Sequence, residues 1–270
     1  MTSRYLNLGC GERFHPEWVN LDLRPASPAV QHWDLRKDLT FPDASFDVVY
    51  HSHVLEHFSQ PDGLRFLERC RKVLRPGGLL RVVVPDLERI VELYRQALSD
   101  ALNGQPDAHF AYDWAMIEMY DQTVREFSGG EMVRFVRELS PSQHSLIRSR
   151  LGGELDRMVP SNPQSSAAPG SRSLSAFRNS IWRRGLRLLL GAEGLAAYDL
   201  GRFRNAGEVH KWMYDRYSLA KAFESAGFRD IRQCGPGESR IANWPAFNLD
   251  TEPDGSTYKP DSLFMEAVRP

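Results

Sequence analysis

The chain is poor in cysteine: Cys10, Cys70 and Cys234 are its three, and none forms a CxxC pair. Cysteines this few and this scattered exclude a disulfide framework and point to a reducing, cytoplasmic setting. No sign of charge prevails, since 34 Lys plus Arg face 35 Asp plus Glu for a net charge of -1. That balance gives no broad field for drawing in nucleic acid, so no nucleic-acid partner is expected. The opening MTSRYLNLGC lacks the apolar run of a signal peptide, and no apolar stretch has bilayer-spanning length. An internal repeat is missing too. What is present is 41% hydrophobic residues in 270, enough to bury a sizeable core.

Short β-rich runs alternate with helical periodicity in the first hundred residues. Tyr5–Gly9, Trp18–Leu23 and Phe46–Tyr50 read as strands, Pro61–Leu74 as a helix stopped by Arg75-Pro76-Gly77-Gly78, and the near-continuous apolar Leu79–Val84 as a strand covered on both faces. A helix is expected from Asp86 to about Leu102. This alternation predicts an α/β fold with a doubly wound, mostly parallel, Rossmann-like sheet. Ligands in such sheets bind beyond the carboxyl ends of the strands, which would place Gly9, Asp22, Tyr50 and Pro85 at the cleft. The rhythm breaks over 103–207, a mainly helical insertion containing the Ser/Pro/Gly-rich run Pro160–Ser173, expected to be a flexible loop near 160–175. It resumes over 208–270 with a helix Ser218–Ala226, a strand near Asp230–Cys234 and a last strand near Leu263–Val268. The expected organisation is therefore a core of 1–102 and 208–270 interrupted by a cap.

Gly9-Cys10-Gly11 directly follows a strand, where two glycines let the backbone turn and approach a ligand closely. The third glycine of the dinucleotide fingerprint is missing, because the chain continues Glu12-Arg13-Phe14, and this argues against a pyrophosphate-binding NAD site. Asp22 ends the next strand, where a carboxylate can accept hydrogen bonds from vicinal ribose hydroxyls; its bland alternative is a turn-capping role.

Four segments in order, YLNLGCG (Tyr5–Gly11), VNLDL (Val19–Leu23), WDLRKDLTFPDASFDVVYHSHVLEHF (Trp33–Phe58) and RKVLRPGGLLRVVVPD (Arg71–Asp86), resemble the class I S-adenosylmethionine-dependent methyltransferases, especially the group with the type 11 methyltransferase domain. The resemblance implies a seven-stranded sheet and S-adenosylmethionine as cofactor. It also implies that Gly9 and Gly11 cradle the methionine part, Asp22 holds the ribose, Asp34 with Leu35 flanks the adenine, and Phe46–Ser52 forms the wall beneath. Asn7, Cys10, Leu23 and Ser52 complete the expected cofactor-binding set. One departure stands out: ten residues separate Gly11 from Asp22 and include Pro16, so the first crossover has no room for a full helix.

His51, His53 and His57 follow the FDVVY strand, and His53–His57 matches the H-x-x-E-H string of inverted zinc peptidases. The string sits where a loop becomes a helix, so no metal is expected. Methyl transfer to oxygen needs the acceptor proton removed, work suited to an imidazole, and His53 lies nearest the cleft mouth. His57 reads as a loop-fixing residue and His51 as a strand cap. From His210-Lys211-Trp212-Met213-Tyr214-Asp215, His210 and Tyr214 are expected to meet the acceptor from the other side, with Trp212 and Met213 as packing residues. This H-x-x-M-Y-D string is similar to one in bacterial methyltransferases of glycan and surface-polysaccharide gene neighbourhoods.

Within the insertion, Arg172, Arg178, Arg183, Arg184 and Arg187 alternate with Phe177, Ile181, Trp182, Leu186 and Leu188–Leu190 as an amphipathic helix. It would serve as a cap over the cleft, a peripheral membrane contact through 177–190, or a dimer face. The expected activity is O-methylation of a small molecule or saccharide. The rivals are a non-catalytic cofactor-binding module and an NAD-linked oxidoreductase.

Overall fold

The computed structural model describes residues 3–140, 143–158 and 174–270, without the side chains of 157 and 174–181. The expected loop at Pro160–Ser173, with Arg172, and the side chains of Phe177, Arg178 and Ile181 lie outside the described residues.

Seven strands form one sheet: β1 (Tyr5–Leu8), β2 (Trp18–Asp22), β3 (Val30–His32), β4 (Phe46–Ser52), β5 (Leu74–Pro85), β6 (Arg229–Cys234) and β7 (Ser262–Val268). Their order is β3-β2-β1-β4-β5-β7-β6. The first five run parallel, and β7 alone is reversed, pairing antiparallel with both β5 and β6. The mostly parallel seven-stranded expectation is thus met. β1, β4 and β5 are apolar because both of their faces are covered. Strand β3, three residues long and set among prolines, was not anticipated.

Helices α1 (Gln60–Val73) and α8 (Arg216–Ser225) cover one face, where Phe66, Leu67, Leu219 and Phe223 pack on Leu8, Val49 and Val82. Ser59 caps α1 and Asp215 forms a capping box with Ser218 at the start of α8, satisfying free amide groups. The other face is covered by the segment Ile241–Leu249, whose Trp244 and Phe247 pack on Trp18, Tyr50 and Phe264. Arg81, 0% exposed, pins that segment: its Nε donates to Asp250 Oδ2 at 2.8 Å and its Nη1 to Glu266 Oε1 at 2.9 Å. Tyr50 donates to the other oxygen of Asp250 at 2.6 Å. Tyr50 therefore points away from the cleft, contrary to expectation, because its partner lies on the opposite face.

Between α2 (Leu87–Leu102) and α8 come α3 (Ala108–Val124), α4 (Gly130–Arg137), α5 (His144–Leu151), α6 (Glu154–Met158) and α7 (Leu174–Arg204). Phe110, Trp114, Met132, Val136, Ile147, Leu151 and Leu155 give this insertion a small core of its own. Arg150 of α5 pairs with Glu118 of α3 at 2.6 Å, joining two of its helices, and the Arg150 carbonyl accepts from Asp261 N at 3.1 Å, which ties the insertion to the segment before β7. α7 breaks at Gly191, whose φ of 72° and ψ of -176° are not helical. Arg183 then meets Asp199 at 2.5 Å. Sixteen residues of straight helix would hold them about 24 Å apart, so the two halves of α7 fold back on each other.

Candidate cofactor and acceptor site

The turn after β1 is made by backbone alone. Gly9 and Gly11 have φ of 66° and 52°, a region that side-chain-bearing residues rarely adopt. A Cβ on Gly9 would overlap Val54 Cγ2 and sit 3.5 Å from Leu35 Cδ1, whereas one on Gly11 would meet open space. The amides of Gly9 and Cys10 both donate to Leu21 O, at 2.8 and 3.2 Å. Gly11 N donates to Asp22 Oδ2 at 2.8 Å, and Arg24 N to Asp22 Oδ1 at 2.7 Å. Each carboxylate oxygen thus uses one lone pair on the loop and keeps another for a hydroxyl. No helix forms between Leu8 and Trp18, as the short gap and Pro16 predict.

Above the carboxyl ends of the strands lies a cavity of about 670 Å³. Over β1–β3 it is lined by Gly9, Asp22, Leu23, Asp34 and Leu35. Over β4, β5 and β7 it is lined by His53, His57, Pro85, His210, Lys259 and Asp261. The insertion closes that second half through residues such as Arg125, Met132 and Met158, and through Asn205–Glu208. Among the described residues, the basic stretch of α7 does not line it, and Leu188 and Leu189 are 89% and 83% exposed.

His53, at a φ of 53°, follows β4 and is held by its own amide donating to Val83 O at 2.9 Å. Its Nε2 lies 2.9 Å from Ser262 Oγ and its Nδ1 3.4 Å from Glu56 Oε1. Burial, then the charges of Lys259, His210 and His57, drive its pKa well below the usual imidazole value. His57 donates from Nδ1 to Val209 O at 3.3 Å, and its pKa falls to about 4, chiefly by burial. His210 packs edge-on against it with ring centroids 4.8 Å apart and is pushed down by burial and by His57. The amides of Lys211 and Trp212 donate to Glu56 O at 2.7 and 3.2 Å, and His210 N to Gln122 O at 2.8 Å. These bonds bring 53–57 and 208–212 together. Burial raises Glu56 to about 8 and Asp261 to about 7. Lys259 is paired with Glu154 at 3.3 Å, and Arg125 with Asp121 at 2.6 Å.

Of the expected site residues, Gly9, Asp22, Leu23, Asp34, Leu35, His53 and His210 share the cavity. Asp34 is held in a two-pronged pair with Arg36, which lowers its pKa. Asn7 does not line the cavity; it is buried and donates to Arg13 O at 3.0 Å, tying down the glycine loop. Cys10 is buried beside that loop, its thiol pushed up to about 12 by burial. Gly11 sits at the edge through its bond to Asp22. Ser52 shares Tyr50's face and bonds its hydroxyl, so it turns from the cleft. Tyr214 is a core residue: it packs in the α1–α8 face, and burial raises its pKa to about 12. Trp212, expected in the core, is 39% exposed. His51 is no strand cap but a fully buried residue of β4 against Phe66. His57 does bond backbone as anticipated, yet it also faces the cavity. Glu56, Arg125, Lys259 and Asp261 were missed. The H-x-x-E-H string was the one available signal for Glu56.

Residues 13–82 match the family model described as "Methyltransferase domain". A probable S-adenosylmethionine-dependent methyltransferase of Mycolicibacterium smegmatis is 33% identical over 99 residues, 30% of this chain and 37% of that one. A probable methyltransferase of Aspergillus luteorubrus, ltbC, is 33% identical over 96 residues, 31% of this chain and 33% of its own. The chain thus spans about a third of the length of the curated relatives it matches. A crystal structure of a SAM-dependent methyltransferase from Archaeoglobus fulgidus aligns over 98% of this chain and 86% of that one, with 13% identity and a TM-score of 0.39. The matched segment begins just past the glycine turn and runs into β5; it is similar to a methyltransferase domain and includes Asp22, the carboxylate that accepts from Gly11 N.

Proposed function

We propose that the protein is an S-adenosylmethionine-dependent methyltransferase that methylates oxygen on a small polar molecule or saccharide. The observation carrying this reading is that one cavity joins the Gly9–Asp22 cradle to the half-buried imidazole of His53. Gly9, Gly11 and Asp22 fit the cofactor because the two glycines turn the backbone at positive φ beside the cavity that Gly9 lines, and Asp22 retains two lone pairs for ribose hydroxyls. The bound cofactor would supply an electrophilic methyl on a sulfonium sulfur.

In this reading Asp22 orients the adenosyl group, while Leu35 and Leu23 line the cleft beside it. The acceptor occupies the half lined by His53, His57, His210, Lys259 and Asp261, whose polarity suits a hydroxyl-rich molecule. As the acceptor oxygen attacks in line, its proton passes to His53, which starts neutral because burial disfavours its charged form. His210 helps to place the acceptor. Tyr214 has no part in the chemistry, being packed in the core. Positioning of the two reactants supplies much of the rate. The experiment is calorimetric titration with S-adenosylhomocysteine and NAD, followed by turnover on pools of hydroxylated acceptors. S-adenosylhomocysteine binding with turnover is expected. Preference for NAD, or binding without turnover on any pool, would replace this reading with one of its rivals.

A further inference from the structure

Behind the acceptor half of the cavity, one carboxylate and two imidazoles converge without partners enough to explain them. We propose that Glu56, His57 and His210 bind a divalent transition-metal ion of the zinc class. One ligating atom from each lies within 4.8 Å of the others. The side chain of Glu56 is 0% exposed and neither of its oxygens accepts a hydrogen bond, His53 Nδ1 lying 3.4 Å from Oε1 without hydrogen-bonding geometry. An ionised carboxylate left this way is costly, and a bound cation removes the cost. His210 Nδ1 is likewise buried and unpartnered. His57 donates from Nδ1 to the Val209 carbonyl, which fixes its tautomer and leaves the Nε2 lone pair for coordination. A carbonyl-anchored imidazole is the usual outer support of a metal-bound histidine.

Two imidazoles and one carboxylate form the donor set of open zinc sites and of non-haem iron sites, and they suit neither magnesium nor calcium, which prefer all-oxygen shells. The two cations nearby are already neutralised, Lys259 by Glu154 at 3.3 Å and Arg125 by Asp121 at 2.6 Å. Backbone bonds from Lys211 and Trp212 to Glu56 O, and from His210 to Gln122 O, hold the two ligand-bearing segments in place. His53 is not counted among the ligands: its Nε2 reaches Ser262 Oγ at 2.9 Å, and its Nδ1 stands behind Glu56 Oε1 at 3.4 Å. The zinc-peptidase spacing therefore drew attention to the right neighbourhood with the wrong pair. His57 and His210 line the cavity, so an open coordination position would face the acceptor and could take its hydroxyl or carboxylate oxygen. The site stands on its own geometry and does not depend on methyl transfer.

The test uses the full chain, stripped with a chelator and titrated with Co²⁺ while its visible absorption is recorded, then challenged with Zn²⁺. One ion per chain is expected, with the intense spectrum of a four- or five-coordinate nitrogen and oxygen site, displaced by Zn²⁺. Glu56→Gln, His57→Gln and His210→Asn should each weaken Co²⁺ binding by at least about 100-fold, while S-adenosylhomocysteine binding, measured on the same samples, is retained. A weak six-coordinate spectrum on the wild-type chain, or affinity unchanged in folded variants, would overturn the proposal. The wild-type spectrum decides the matter if a variant fails to fold. Loss of S-adenosylhomocysteine binding by the wild-type chain would count against the methyl-transfer reading alone.

Discussion

The two halves of the cavity are built on different principles. The cofactor half is drawn from residues 9–35 and uses a backbone turn, two carboxylates and two leucines. The acceptor half is assembled from side chains at 53–57, 122–158, 205–211 and 259–261. A backbone turn needs only its own glycines and a short loop, whereas the cluster of histidines needs the whole chain folded around it. Generic binding can thus be local in sequence, and the groups that would select and activate an acceptor need not be.

That division can be broken by substitution. His53→Gln should lower turnover by about 10²- to 10⁴-fold while leaving the dissociation constant for S-adenosylhomocysteine within about twofold, as read by steady-state kinetics and calorimetry. A parallel collapse of cofactor binding would mean that the halves are not separable. Gly9→Ala places a methyl against Val54 at a positive φ. It should weaken S-adenosylhomocysteine about 100-fold through backbone strain and displacement of Val54, which lines the same cavity, and a loss under about threefold would show that the turn is no wall of the pocket.

His51 offers a control for His53: it lies two residues earlier, within β4, and is fully buried without a hydrogen-bond partner. Burial lowers its pKa from 6.5 to about 3, so the folded state refuses a proton that the unfolded chain accepts. Its contribution to stability is complete above pH 6.5 and is lost as the pH falls from there towards 3. By pH 5 the loss should reach about 2 kcal/mol. His51→Leu should flatten that part of the acid limb in urea unfolding at pH 7 and pH 5; equal slopes in both proteins would refute it. The smallest change expected is Asp22→Asn, which keeps an acceptor for Gly11 N but loses the charge and should cost about tenfold in cofactor affinity. No effect on calorimetric affinity would remove Asp22 from the ribose.

Much of the cofactor half was legible in the chain because its signals are local. Gly9 and Gly11 occupy positions where positive φ is needed, and the short span containing Pro16 excluded a helix before β2. Strand β3 was hidden by its brevity. Tyr50 was misplaced because a strand apolar on both faces gives no cue to which side a residue takes, and the deciding partner, Asp250, lies 200 positions away. The same limit concealed Lys259 and Asp261, which reach the cavity because β7 is reversed and starts beside the end of β5. In α7, the apolar periodicity fits a cap over the cleft, a membrane contact or a dimer face alike; Leu188 and Leu189 are exposed and the chain turns back at Gly191, which argues against the cap alone.

The insertion of β7 between β5 and β6 also dictates when the sheet can be finished. Until residues 262–268 are available, the β5 edge carries unpaired amides and carbonyls, and the intervening insertion has to fold with that edge uncovered. Arg269 then locks the closing strand by donating to the carbonyls of Arg71 and Lys72 at 2.9 and 3.0 Å, and to that of Leu74. A nascent chain halted before Ser262 would leave an adhesive strand on display, making the last nine residues the latch of the whole domain.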